Sequence, residues 1–262
     1  MRRCALVLGA ALLLGLAGCA TVPRDPAALA AFKAANDPLE PLNRKTFAFN
    51  QGLDRYLLKP IAKAYVRIIP SAGRDGIRNV VKNLHEPIVL VNNLLQGEFK
   101  RAGTTLGRFV TNTTIGVVGV MDFAGRHGLP QQTGDFGQTL YVWGVHEGPY
   151  LVLPVMGPSN PRDGFGMGAD LFTNPFLYLA PHFKYKTSLS VSEAAISGID
   201  ERARNLDTLD EIQREAVDFY ASMRSLYRQN RAAELRHGGP PPTPKEESLY
   251  DDPGDAQPAG RN

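Results

Sequence analysis

Cysteine is nearly missing: Cys4 and Cys19 are the two in 262 residues. Both sit near the N-terminus, so no internal disulfide can hold the body of the chain, and its stability has to come from burial. Charge of one sign is equally scarce, with 29 basic against 26 acidic side chains. A nucleic-acid partner would need a clear basic excess, and none is expected. Histidine is scattered: His85, His127, His146, His182 and His237 show no metal-ligand spacing, so no metal site is expected. Catalytic signatures fail in the same way. Gly157-Pro-Ser-Asn-Pro161 lacks the closing glycine of a nucleophile elbow. Gly164-Phe-Gly-Met-Gly168 is not framed by strand, turn and helix as a dinucleotide loop is. Asp135, Glu147 and Asp163 are acid–base candidates whose irregular spacing supports no pairing. The chain reads as a non-enzyme without a cofactor.

What is present begins with address information. Met1-Arg2-Arg3 is a positive n-region, Ala5 to Leu16 is an apolar h-region, and Leu16-Ala17-Gly18-Cys19 is a lipobox, so residues 1–18 read as a secretory signal. The h-region is well short of the roughly 20 residues that cross a bilayer, which favours cleavage over anchoring as a helix. Cleavage before Cys19 leaves its thiol and amine to be acylated, and three acyl chains attach a protein firmly where one does so only marginally. Ala20, rather than Asp, follows the cysteine, the pattern of bacterial lipoproteins sorted to the outer membrane. Residues 19–35 read as a lipidated tether, 36–237 as one helical domain, and 238–262 as a disordered acidic tail rich in Pro and Gly.

Within the domain the apolar period is mostly helical. Leu42, Phe49, Leu53, Tyr56 and Leu57 share one face between Pro38 and Pro60, after which Pro60 kinks or ends the helix and Ile61 to Ile69 continues to Pro70. Ile77, Val80, Val81 and Leu84 mark a second helix, and Pro87 is placed to open a third that Gly97 caps. A fourth starts near Glu98, carries Phe99, Ala102, Leu106, Phe109 and Val110, and continues through the Gly-spaced apolar stretch from Thr114 to Ala124. Near the C-terminus, Ser190 with Glu193 and Thr208 with Glu211 fit capping boxes for two amphipathic helices.

Between these groups lies Asp135 to Gly166. It holds the single tryptophan, Trp143, and is broken by Gly144, Gly148, Pro149, Pro154, Gly157, Pro158 and Pro161. Short extended pieces and tight turns around an apolar run, Tyr150 to Met156, are expected there rather than a regular helix. The aromatics from Leu171 to Tyr185 suit a membrane interface or a core equally well.

Several segments carry a likeness that no single motif would. Asn36-Asp-Pro-Leu-Glu-Pro-Leu-Asn-Arg44 with Phe47-Ala-Phe-Asn50, Asn83-Leu-His-Glu-Pro87 with Asn92-Asn-Leu-Leu-Gln-Gly97, Arg108-Phe-Val-Thr-Asn112, Asp122-Phe-Ala124, Phe136-Gly-Gln-Thr-Leu140, and Gly148-Pro-Tyr-Leu-Val-Leu-Pro154 followed by Arg162-Asp163 resemble, in order, the VacJ/MlaA family of outer-membrane lipoproteins. The resemblance implies a mainly α fold, a multi-helix ring lying in the membrane, with an irregular Gly/Pro-rich central segment. It implies an amphipathic channel through which misplaced outer-leaflet phospholipid is removed and passed to a periplasmic carrier, with a trimeric porin as neighbour. Asn43, Arg44, Asn50, Asn92, Asn93 and Asn112 are candidates for the channel wall or for hydrogen bonds between helices. Phe47 and Phe49 are candidates for packing or for a gate. Gly125, Arg126, His127, Gly128, Leu129, Pro130, Gln131, Gln132, Thr133 and Gly134 fall at the family's hairpin and gate position. The rival reading is a lipid-tethered periplasmic structural or adhesion protein without transport activity.

Overall fold

The computed structural model describes residues 22–173 and 186–237. The signal segment, Cys19, the aromatic segment from 174 to 185 and the acidic tail lie outside the described residues. A first helix, α1 (Pro26–Ala35), covers most of the expected tether, and the domain proper follows. Helix α2 (Glu40–Leu53) begins with Glu40 and Pro41 in its first turn, as the helix dipole and the missing proline N–H favour. It runs without a break through a π-turn, Asp54–Leu58, into α3 (Lys59–Ile68). The Lys59 amide reaches back to the Asp54 carbonyl, and this wide turn admits Pro60 without ending the helix. Ile69 is extended because a proline follows it.

Helix α4 (Ser71–Leu95) is one element where two were expected, with Pro87 inside it. Side-chain bonds to α5 (Phe99–Thr114) hold both halves in line: Asn83 to Thr113 and Arg108 to Glu86 lie before the proline, and Asn93 to Thr105 lies after it. Gly97, at φ +76°, ends α4 as the spacing predicts, and the Glu98 amide closes on the Asn93 carbonyl at 2.9 Å. Helix α5 does not continue into the apolar stretch. Asn112 folds the chain back by accepting from the Ala124 amide at 2.9 Å and donating to Asp122 at 3.0 Å. The turn between them puts Val117 and Val118 at φ near +57°, a costly setting for β-branched residues. Gly119 follows at φ +88°, so close to α4 that a Cβ on it would stand 2.6 Å from the Asn83 Cβ.

Helices α6 (Phe123–Arg126), α7 (Phe136–Val142), α8 (Pro161–Thr173), α9 (Lys186–Arg204), α10 (Leu206–Glu215) and α11 (Phe219–Leu235) complete the described chain. Asp122, Asp135 and Asp218 cap α6, α7 and α11 through their side chains. Ser190 and Thr208 instead sit inside α9 and α10, so neither expected capping box forms. The central segment is more helical than expected, because α7 and α8 take its two ends. Between them β1 (Leu151–Leu153) pairs antiparallel with β2 (Gly157–Ser159). Residues 125–134 form no strand pair: α6 takes Gly125 and Arg126, and 129–135 run without regular structure.

Burial in this fold is inverted. Among the described residues eight apolar side chains are buried against seventeen polar or charged ones, while 31 large apolar side chains are exposed. Helix α5 shows why the apolar period misleads about direction. Its buried positions are Ala102, Thr105, Arg108 and Asn112, whereas Phe99 is 73% exposed and Val110 51%. The apolar face of α2 and its π-turn also points out, with Tyr56 80% exposed. The small apolar core is Tyr150, Val152 and Tyr220, with Phe47 and Tyr227 against it. No helix among the described residues is long and apolar enough to cross a membrane.

Candidate functional site

The helices close around a cavity of about 650 Å³. Its wall takes residues from α4, from 131–135, from α7 and β2, and from α8, α9 and α11. Val81, Ile88, Val89, Met167, Leu171 and Ala194 make parts of it apolar. Lys82, His85, Glu86 and Val89 reach it together because they stand at i, i+3, i+4 and i+7 on one face of α4.

Arg231 of α11 ties that wall together. It makes two bonds of 2.8 Å to Asp135, holds Asp163 at 2.9 and 3.0 Å, and reaches Glu234 at 2.9 Å. Burial works to raise the Asp163 carboxyl, but the bonds and charge of Arg231 and Arg162 hold it down at about 2. On α4 the balance falls the other way. Burial lifts the Glu86 carboxyl above the ordinary range although Arg108 Nε donates to it at 2.9 Å. Desolvation also lifts Asp170, in spite of bonds from the Phe136 amide and Asn92, and lowers His85.

Of the two roles expected for the asparagines, the structure supports hydrogen bonds between elements: all five lie outside the cavity lining, and Asn92 and Asn93 bond between helices. Asn43 and Asn50, seven residues apart on α2, each act as a surrogate strand for β1. Asn43 donates to the Tyr150 carbonyl and accepts from the Val152 amide, at 3.0 and 2.9 Å. Asn50 donates to the Leu153 carbonyl and accepts from the Val155 amide, at 2.9 and 2.8 Å. Asn92 joins α4 to α8 and α7 through Asp170 and Thr139, Asn93 joins it to Thr105, and Asn112 holds Asp122. Arg44 pairs with Asp218 and Glu40 at the surface. Phe47 packs edge-on against Tyr220 at 5.4 Å, and Phe49 is exposed.

The segment proposed as a hairpin divides. Gln131, Gln132, Thr133 and Gly134 border the cavity, while Gly125, Arg126, His127, Gly128, Leu129 and Pro130 lie outside its lining. Three cations hold it against α4 and α5: Arg108 donates to the Leu129 carbonyl at 2.6 Å, Lys82 to Gln131 Oε1 at 2.8 Å, and Arg101 to the Thr133 carbonyl at 2.8 Å. Sequence reasoning missed Lys82, Glu86, Asp170, Glu193 and Arg231. The one-face spacing on α4 was a usable signal for the first two. Arg231 stands 68 and 96 residues from its partners and gives none.

Comparison with known proteins agrees with this architecture. The family model described as MlaA lipoprotein matches residues 35–234. A relative in Escherichia coli K12, the intermembrane phospholipid transport system lipoprotein MlaA, is 35% identical over 96% of each chain. A protein of the same name in Haemophilus influenzae is 34% identical over 78% of this chain and 80% of its own. An uncharacterized protein of Rickettsia bellii is 36% identical over 77% of each. A chain solved for the structural basis for maintenance of bacterial outer membrane lipid asymmetry superposes with a TM-score of 0.67 at 35% identity, over 76% of this chain and 98% of that one. These likenesses run over most of the chain and meet in one conclusion: it belongs to the MlaA lipoprotein family.

Proposed function

We propose that this protein is an outer-membrane lipoprotein that takes mislocalised phospholipid from the outer leaflet, carries it through its central cavity, and passes it to a soluble periplasmic carrier. The observation that supports this best is the inverted burial among the described residues: 31 large apolar side chains are exposed, while ionisable groups such as Lys82, Glu86 and Asp163 stand among apolar ones on the cavity wall. A phospholipid crosses a bilayer slowly because its head must leave water for hydrocarbon, a cost far above thermal energy. The polar and ionisable groups on this partly apolar wall substitute for that lost hydration while the exposed apolar side chains keep the protein in the membrane. No nucleotide hydrolysis is needed for this step, and direction comes from removal of the lipid by the carrier. In this reading residues 1–18 are the cleaved signal, acylated Cys19 and residues up to 35 are the tether, and a trimeric porin is the membrane neighbour. Gly125 to Gly134 serves as the gate.

The test is outer-leaflet phospholipid in cells lacking the protein, read with an outer-leaflet acyltransferase or phospholipase. A rise that the wild-type chain reverses, and that a chain without residues 125–134 does not, is expected. An unchanged surface phospholipid level, with the protein folded and present in the parent, overturns the reading in favour of a tethered structural lipoprotein.

A further inference from the structure

The charges around the cavity can be paired off one by one. Arg108 takes Glu86, Arg231 takes Asp135, Asp163 and Glu234, and Asp170 accepts from Asn92 and from the Phe136 amide. Besides His85, two ionisable side chains of opposite formal charge are left. Lys82 on α4 donates to the neutral Gln131 and has no ion-pair partner among the described residues. Burial, with Arg204, Arg78 and Arg108 nearby, lowers its pKa against the opposing pull of Asp122 and Glu86, so an anion brought beside it stabilises its charge. Glu193 on α9 has no hydrogen bond and no ion pair among the described residues, and burial pushes its carboxyl up. Both side chains border the same space of about 650 Å³.

An unpaired cation and an unpaired anion on one partly apolar wall complement a ligand that carries both charges beside an apolar body. We infer that the cavity selects zwitterionic, amine-bearing phospholipids over anionic ones, with Glu193 receiving the ammonium group and Lys82 the phosphate. This rests on the transport reading and adds its substrate class. An anionic headgroup satisfies Lys82 as well, but leaves Glu193, half-buried on the same wall, without a cation. His85 matches the amine poorly, because desolvation lowers its imidazole pKa against the opposing pull of Asp170 and Asp135.

The mature, acylated full-length protein is incubated with vesicles of equal phosphatidylethanolamine and phosphatidylglycerol, re-isolated in detergent, and its bound lipids are counted by mass spectrometry. The wild type is expected to enrich the amine lipid about fivefold, the size of one ordinary hydrogen bond in a water-accessible site. Glu193→Gln brings the ratio towards that of the vesicles, and Glu193→Lys turns it towards the anionic lipid. A second arm needs no variant: N-acetylated phosphatidylethanolamine keeps the phosphate, loses the ammonium, and loses the preference. Lipid bound by the wild type in the vesicle ratio overturns the selectivity while leaving transport standing. A wild type that takes up no lipid overturns both.

Discussion

Arg108 and Glu86 join α5 to α4 at 2.9 Å with 3% and 2% of their side chains exposed, and one Glu86 oxygen, Oε2, has no partner. A pair so deep is costly to break, because removing one member leaves a buried charge alone. Arg108→Met is expected to cost about 3–5 kcal/mol in unfolding free energy, the range for breaking a buried ion pair. Adding Glu86→Leu to it should restore part of that loss, with a coupling of about 2 kcal/mol between the two sites. Denaturant unfolding of the two single variants and the double variant in detergent measures the cycle. Additive losses would show that the two side chains act separately.

Acid should reach the Arg231 cluster. Asp163 titrates at about 2 in the fold against about 3.9 in an unfolded chain. Its folded value is depressed, so its contribution is present above the unfolded value and is lost as pH falls from about 4 towards 2. The size is roughly 2–3 kcal/mol. Glu86, Asp170 and Glu193, which burial raises, act in the opposite sense, and what they contribute is lost as pH rises through their folded values. Unfolding free energy measured from pH 6 to pH 2 should therefore fall more steeply in the wild type than in Asp163→Asn. Parallel curves would remove Asp163 as the cause.

The exposed apolar face should hold the protein in a bilayer without its lipid anchor. A chain with Cys19→Ala behind a cleavable signal is expected to stay with the membrane through an alkaline carbonate wash. Adding Phe99→Glu and Val110→Glu on the outer side of α5 should move it to the wash, each charge costing about 2–3 kcal/mol in hydrocarbon. Release of the Cys19→Ala chain alone would make the lipid the sole attachment.

The helices around α4 and α5 were legible because their apolar period is strong, and the Gly97 cap because only a residue without Cβ turns there easily. The direction of each apolar face was not legible. An amphipathic stripe says that two sides face different surroundings, and the same stripe serves a core or a lipid-facing exterior. Pro87 misled because bonds on both sides of it, from Asn83, Glu86 and Asn93, hold α4 straight through the defect. The capping boxes at Ser190 and Thr208 gave way to Asp122, Asp135 and Asp218 elsewhere, since local spacing names possible caps without saying where helices begin. At the site, the asparagines were recognised as buried polar residues, but their partners on β1, α5, α7 and α8 are set by the tertiary fold.

A body that already turns its apolar side chains outwards has little apolar surface left to expose when it unfolds. The heat-capacity change and the denaturant slope both scale with newly exposed surface. For its length this protein should therefore show a broad melting transition and a shallow response to urea, and its cooperativity should come from directional bonds such as those of Arg231, Asn43 and Asn50. Its stability curve with temperature should be flatter than that of a water-soluble protein of equal size.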